Sequence, residues 1–159
     1  MTKKLTHFDE KGHTQMVDVS PKPETERTAI AKGVVYTKRE TVLQINQHKF
    51  EKGNVLEVAR LAGIMSTKRT PDIIPLCHAI PITGVSLHLL THLEQSRVEI
   101  EAHVKSMGRT GVEMEALTAV SVAALTIYDM CKSVDQTMRI SEIRLVQKTG
   151  GQRGDFRAE

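Results

Sequence analysis

The sequence predicts an α+β fold of the ferredoxin-like, split βαβ type, with an antiparallel sheet and helices on one face. Three observations carry this. Two segments have helical periodicity, Asn54 to Lys68 and Val112 to Val134. Four others read as strands, and the order along the chain is β, α, β, β, α, β. The length, 159 residues, suits one such domain with its own core.

The first strand is expected over Arg27 to Thr37, where β-branched residues partly alternate with polar ones. Lys38 to Gln47 reads as a short helix. The next helix starts at Asn54, a good N-cap, with Glu57 three residues on as in a capping box. Val55, Val58, Ala59, Ala62 and Met65 form its expected buried stripe, and Pro71 ends it. Pro71, Pro75 and Pro81 stiffen the connection that follows.

Gly84 to Leu93 and Arg97 to Met107 read as a hairpin turning at Glu94-Gln95-Ser96. Val98, Ile100, Ala102 and Val104 alternate with Glu99, Glu101, His103 and Lys105, so one face is apolar and the other wet. A last strand is expected over Met138 to Gln147. The chain thus divides into an irregular arm (1–24), a catalytic domain (25–148) and a glycine-rich tail (149–159).

Composition narrows the function classes. Net charge is +3, from scattered residues rather than a basic run, which suits an anionic small molecule at least as well as nucleic acid. Aromatics are 3%, too few for a sheet that stacks bases. No stretch reads as a membrane span, and Met1 to Lys11 holds no apolar signal segment, which points to the cytoplasm. The two cysteines, Cys77 and Cys131, are expected as reduced thiols.

The long helix holds the most chemistry. Leu117, Val120, Ala124, Ile127, Cys131 and Val134 form the stripe expected on the sheet. Its far side carries Glu115, Thr118, Ser121, Val122, Leu125, Asp129 and Lys132, mostly hydroxyls and aliphatics. Such a face is normally covered, and a second copy of the chain is the expected cover.

Asp129 and Lys132 are surface neighbours at i and i+3. That spacing alone fits an ordinary ion pair worth ~0–1 kcal/mol. Their small and apolar surroundings favour a working pair with shifted pKa values. Glu113 and Glu115 open the helix, where acidic residues also simply complement the dipole. Glu115 and Asp129 are 14 residues apart, or ~21 Å along the axis, too far for one small substrate to touch both on one chain.

Other candidates are weaker. Cys77-His78 lacks a second ligand cluster at metal spacing. His78 on the stiff loop is an acid–base or phosphate-contact candidate, matched evenly by a structural histidine. Lys52 precedes a helix N-terminus that attracts anions. Lys68 and Arg69 end that helix, where the dipole favours cations anyway. Lys148 and Arg153 flank Gly150-Gly151, a combination that could cradle phosphates, although no standard nucleotide-binding motif is present.

Together these segments resemble a known family. Met16-Val17-Asp18-Val19-Ser20, Lys52-Gly53, Ala62-Gly63-Ile64, Lys68-Arg69-Thr70 and Ile74-Pro75-Leu76-Cys77-His78 are similar to motifs of the molybdenum cofactor biosynthesis protein C family. The longest matches are Thr110-Gly111-Val112-Glu113-Met114-Glu115-Ala116-Leu117-Thr118-Ala119 and Ala123-Ala124-Leu125-Thr126-Ile127-Tyr128-Asp129-Met130-Cys131-Lys132. The resemblance spans nearly the whole chain in order.

It implies a lyase, cyclic pyranopterin monophosphate synthase. That activity rearranges 3′,8-cyclo-7,8-dihydroguanosine triphosphate into cyclic pyranopterin monophosphate and releases pyrophosphate. The resemblance further implies a homohexamer, a trimer of dimers, with the site at a dimer interface. Asp129 matches the catalytic acid–base and Lys132 its lysine partner. Lys52 and Lys68 match lysines that handle substrate. Leu76, Cys77 and His78 match one substrate-binding loop, and Met114 and Glu115, with Glu113 beside them, a second segment. Lys148 is expected to contact substrate near the glycines. One departure is at Gln152-Arg153, where the family more often has a lysine.

The chemistry fits these groups. Opening rings, moving protons and closing a cyclic phosphate needs acid–base groups and cations. No cofactor is expected, although magnesium can accompany the triphosphate. An alternative in another class is a non-catalytic nucleotide- or RNA-binding module of the same fold. The mild basic excess favours that alternative, and the missing aromatics oppose it.

Overall fold

The computed structural model describes residues 7–151 and 154–158. In chain order the elements are β1 (Thr25–Tyr36), α1 (Arg39–Asn46), α2 (Val55–Thr67), α3 (Thr70–Ile73), β2 (Ile82–His92), β3 (Arg97–Gly108), α4 (Glu113–Cys131), β4 (Arg139–Thr149) and β5 (Phe156–Arg157). The strands form one antiparallel sheet in the order β2-β3-β1-β4-β5. The first four strands have the order expected of the split βαβ fold, with α2 and α4 packed on one face.

The strand pattern sets which face is covered. Val98, Ile100, Ala102 and Val104 of β3 are at most 1% exposed and pack under the helices. Glu99, Glu101, His103 and Lys105 take the open face, where Lys32 pairs with Glu101 at 2.6 Å. On β1, Ala29, Ala31 and Val35 join the core. Gly33 lies directly beneath α4, because a Cβ there would strike the Val120 side chain.

The capping box at α2 is half formed. Asn54 Oδ1 accepts from the Glu57 backbone N–H at 3.2 Å, but the Glu57 carboxylate turns to Arg60 at 3.2 Å. The buried stripe of α2 is Val55, Ala59, Gly63, Ser66 and Thr67, rotated from the one expected. Val58, Leu61 and Met65 are 41%, 61% and 50% exposed. The cause is Gly63, whose missing side chain lets α2 approach Ala119 and Ala123 of α4 and fit against Leu87. Gly63 carries no hydrophobic signal, so periodicity places Val58, Ala62 and Met65 on the buried side instead. Pro71 begins the one-turn helix α3 at an N-terminal position rather than simply ending α2.

Three further features differ. Helix α4 stops at Cys131, with Lys132 as its C-cap, so Val134 lies beyond it and is 44% exposed. Glu115 and Thr118, assigned to the outer side, are buried in their own chain at 2% and 7% exposure. The tail adds β5, which pairs with β4 through Gln147–Arg157 and Lys148–Phe156. By length and composition α4 could cross a membrane. Its buried face against the sheet and α2 makes it the core helix of this domain instead.

Candidate active site

The first turn of α4, the loop before β2, the end of β4 and the N-terminal arm meet around a cleft of about 420 Å³. It gathers seven expected site residues: Leu76, Cys77, His78, Glu113, Met114, Glu115 and Lys148. Lys22, Arg27 and Arg109 also line it, and no motif in the sequence marks any of them for function. Arg27 was legible only as part of a strand.

Each wall has a local cause. Leu76 adopts a positive φ of 63°, which turns the chain sharply after Pro75 and sends Cys77 and His78 inward. His78 Nε2 lies 2.8 Å from the Val17 carbonyl, which can only accept, so this nitrogen carries the proton. Arg109 donates to the Ser20 carbonyl at 2.9 Å. These two bonds dock the arm along the cleft. Lys148 donates to Glu113 at 2.8 Å, with both side chains about three-quarters buried. Gly111 makes room for this pair, since a Cβ there would fall on the Glu113 carboxylate.

Glu115 is the most perturbed acid in the cleft. It is 2% exposed, and its Oε2 has no hydrogen-bond partner. Burial pushes its carboxyl up to about 7, against its own backbone N–H, and the charge on Glu113 raises it further. The Cys77 thiol is raised by burial and by Glu115, and burial pushes Cys131 up to about 12. Neither cysteine is a ready thiolate.

The remaining expected residues lie elsewhere. Asp129 stands at the other end of α4, 14 residues from Glu115, hence ~21 Å along the axis. Lys132 Nζ is 2.7 Å from Asp129 Oδ1, and Lys52 Nζ is 3.4 Å from Oδ2. These three side chains are 53–58% exposed. Hydrogen bonds from Lys132 and then Lys52 hold the Asp129 carboxyl below its usual value. Lys132 is raised by its hydrogen bond and charge attraction to Asp129, which outweigh the lowering by partial burial. Lys68 is exposed at the C-cap of α2 and lies outside the cleft lining. Gln152 and Arg153 lie outside the described residues.

Among the described residues, no group of three His, Cys, Asp or Glu is arranged to hold a metal ion. A second hollow, about 360 Å³, lies on the open sheet face, where Arg97–Glu99 and Lys32–Glu101 pair at 2.5 and 2.6 Å. Its charges satisfy one another.

A ferredoxin-like domain with a cleft lined by Lys22, Arg27, Arg109 and Lys148 around a buried carboxyl suits an enzyme that receives a small anionic molecule. The chain belongs to the MoaC family, which it matches over residues 16–151. Among curated relatives, the cyclic pyranopterin monophosphate synthase of Heliobacterium modesticaldum is 60% identical over 152 residues, 96% of each chain. The Parvibaculum lavamentivorans protein of that name is 58% identical over 157 residues, 99% of this chain and 98% of the relative. The Natranaerobius thermophilus one is 50% identical over 159 residues, the full length of both.

Proposed function

We infer that this chain is a cyclic pyranopterin monophosphate synthase, a lyase of molybdenum cofactor synthesis, as its family and its relatives' names support. Its substrate is 3′,8-cyclo-7,8-dihydroguanosine triphosphate, and its products are cyclic pyranopterin monophosphate and pyrophosphate. The observation that carries the mechanistic part is Glu115, buried in the cleft with a free oxygen and a pKa of about 7. Such a group both gives and takes protons at neutral pH, which ring opening and reclosure require.

His78, Met114, Leu76 and Cys77 line the substrate-binding wall, and Lys148 with Glu113 sets the charge beside Glu115. Asp129, Lys132, Lys52 and Lys68 complete the site from another subunit. Two observations support that division. One cleft cannot span the ~21 Å along α4. The α2–α4 face also exposes Val58, Leu61, Met65 and Leu125, the last at 59%, as a surface for a second copy. There Lys132, covered by a partner and near other cations such as Lys52, can lose its proton more readily and act as a base. The assembly is a homohexamer, a trimer of dimers.

Magnesium, where present, travels with the triphosphate. Both cysteines are free thiols, in keeping with the cytoplasm. The test is direct: the protein incubated with the cyclised triphosphate should release pyrophosphate and yield the pterin product. Neither product appearing would refute the activity.

A further inference from the structure

Asp135 is a carboxylate, 1% exposed, that lies outside the cleft lining and has no part in the roles above. Burying such a group is costly unless donors surround it, and each of its oxygens has two. Oδ1 accepts from the Thr137 backbone N–H at 2.9 Å and from the Thr137 hydroxyl at 2.7 Å. Oδ2 accepts from the Thr37 hydroxyl at 2.8 Å and from the Lys38 backbone N–H at 2.9 Å. The first two bonds close the turn that leaves α4. The other two reach across to the junction of β1 and α1. Lys38 is the N-cap of α1, and its own side chain makes no capping hydrogen bond. Asp135 therefore caps α1 from the end of α4.

The two segments joined in this way carry Lys132 and Lys52. Lys132 is the C-cap of α4, and just before it the Cys131 carbonyl accepts from the Val134 and Asp135 backbone N–H groups at 3.0 and 3.1 Å. Lys132 thus sits inside a turn that the Asp135 carboxylate pins. Lys52 follows α1 through tight turns, in which Lys49 N–H donates to Gln44 at 3.1 Å and Gly53 N–H to Phe50 at 3.0 Å. Both lysines converge on Asp129. Lys132 Nζ is 2.7 Å from Oδ1, and Lys52 Nζ is 3.4 Å from Oδ2 and 3.1 Å from the Asp129 carbonyl. These side chains are more than half exposed, so little packing holds them in place. Long, exposed lysines keep one geometry only when the backbones they start from are fixed.

We propose that Asp135 is a positioning residue of the reaction: by fastening the start of α1 to the end of α4, it fixes the two backbones from which Lys52 and Lys132 reach Asp129. The use made of those three groups rests on the synthase function proposed above, whereas the anchor itself does not.

The test compares the full-length wild-type protein with Asp135→Ala, at a temperature where circular dichroism shows both folded. Trace acetylation of lysines, mapped by peptide mass, reads the anchor without turnover. Lys132 and Lys52 should label severalfold faster in the variant, while Lys105, exposed on the open sheet face, keeps its wild-type rate. The kcat for the cyclised triphosphate should fall roughly tenfold or more, since a displacement of about 1 Å at a reacting group suffices for that. Unchanged labelling of Lys132 and Lys52, or an unchanged kcat, overturns the proposal. Equal acceleration of all three lysines also overturns it, because lost stability alone would do that.

If Asp135→Ala fails to fold, Thr37→Val removes one donor and Thr37→Ser keeps it. Thr37→Val should show the same faster labelling and slower turnover in smaller measure, and Thr37→Ser should return both toward wild type. Thr37→Val indistinguishable from wild type refutes the anchor. Faster labelling of the two lysines in Asp135→Ala, with no turnover by the wild type, would refute the synthase function alone. Normal wild-type turnover with unchanged labelling in the variant would refute the anchor alone.

Discussion

Lys148 Nζ donates to Glu113 at 2.8 Å, joining the end of β4 to the first turn of α4 along one wall of the cleft. The pair matters because the charge on Glu113 is one of the causes that raise Glu115. Lys148→Met leaves Glu113 uncompensated, so the limb of the kcat/KM profile that reports Glu115 should move to higher pH. Glu113→Gln should move it to lower pH. The pH profiles of both variants check this, and movement in the same direction would break the link.

Glu115 should trade stability for function. Its carboxyl rises from an ordinary 4.5 to about 7 in the fold, so the folded state favours the protonated form. Its contribution is fully favourable below about pH 4.5 and is lost as pH rises through about 7. Glu115→Gln removes that loss. Turnover should therefore collapse while the fold gains roughly 1–3 kcal/mol at pH 8, read by denaturant unfolding. A destabilised, inactive variant would show instead that the carboxylate serves structure.

Asp135 behaves with the opposite sign. Burial pushes its carboxyl up, but hydrogen bonds from Thr137 and Thr37 outweigh this and hold it well below its ordinary value. The backbone N–H groups of Lys38 and Thr137 add to them, each at 2.9 Å. The stability it gives is present above the ordinary carboxylate range and is lost as pH falls through the depressed folded value. Asp135→Ala leaves these donors unmet and should cost about 2–4 kcal/mol at pH 7. Its penalty should shrink in acid, as urea melts at pH 7 and pH 3 would reveal.

Gly63 sets the spacing of α2 and α4. A Cβ there meets the Ala119 carbonyl at 3.0 Å and also presses on the Leu87 side chain. Gly63→Val should cost about 1–3 kcal/mol through overpacking, seen as a lower Tm. An unchanged Tm would mean that the helices separate freely.

Much of this was legible in the sequence because periodicity reports burial. The alternation in β3 fixed its faces, and the split βαβ order followed from six elements. The α2 stripe was misread because the closest helix contact is made at Gly63, which carries no hydrophobic signal. β5 is two residues long, too short for any pattern. In the site, spacing identified Asp129 with Lys132 as neighbours, and they lie 2.7 Å apart. It could not show that Glu115 is buried or that Arg27 faces the cleft, because both depend on contacts made by residues far away in the chain.

The central claim is that Glu115 and Asp129, ~21 Å apart on α4, serve one reaction from two different subunits. Glu115→Gln and Asp129→Asn proteins, each inactive, are mixed, dissociated and reassembled, and pyrophosphate release is then measured. Random pairing should restore up to about a quarter of wild-type turnover, because a mixed pair holds one intact site and one doubly damaged site. Verified subunit exchange with no recovered activity would contradict the shared site.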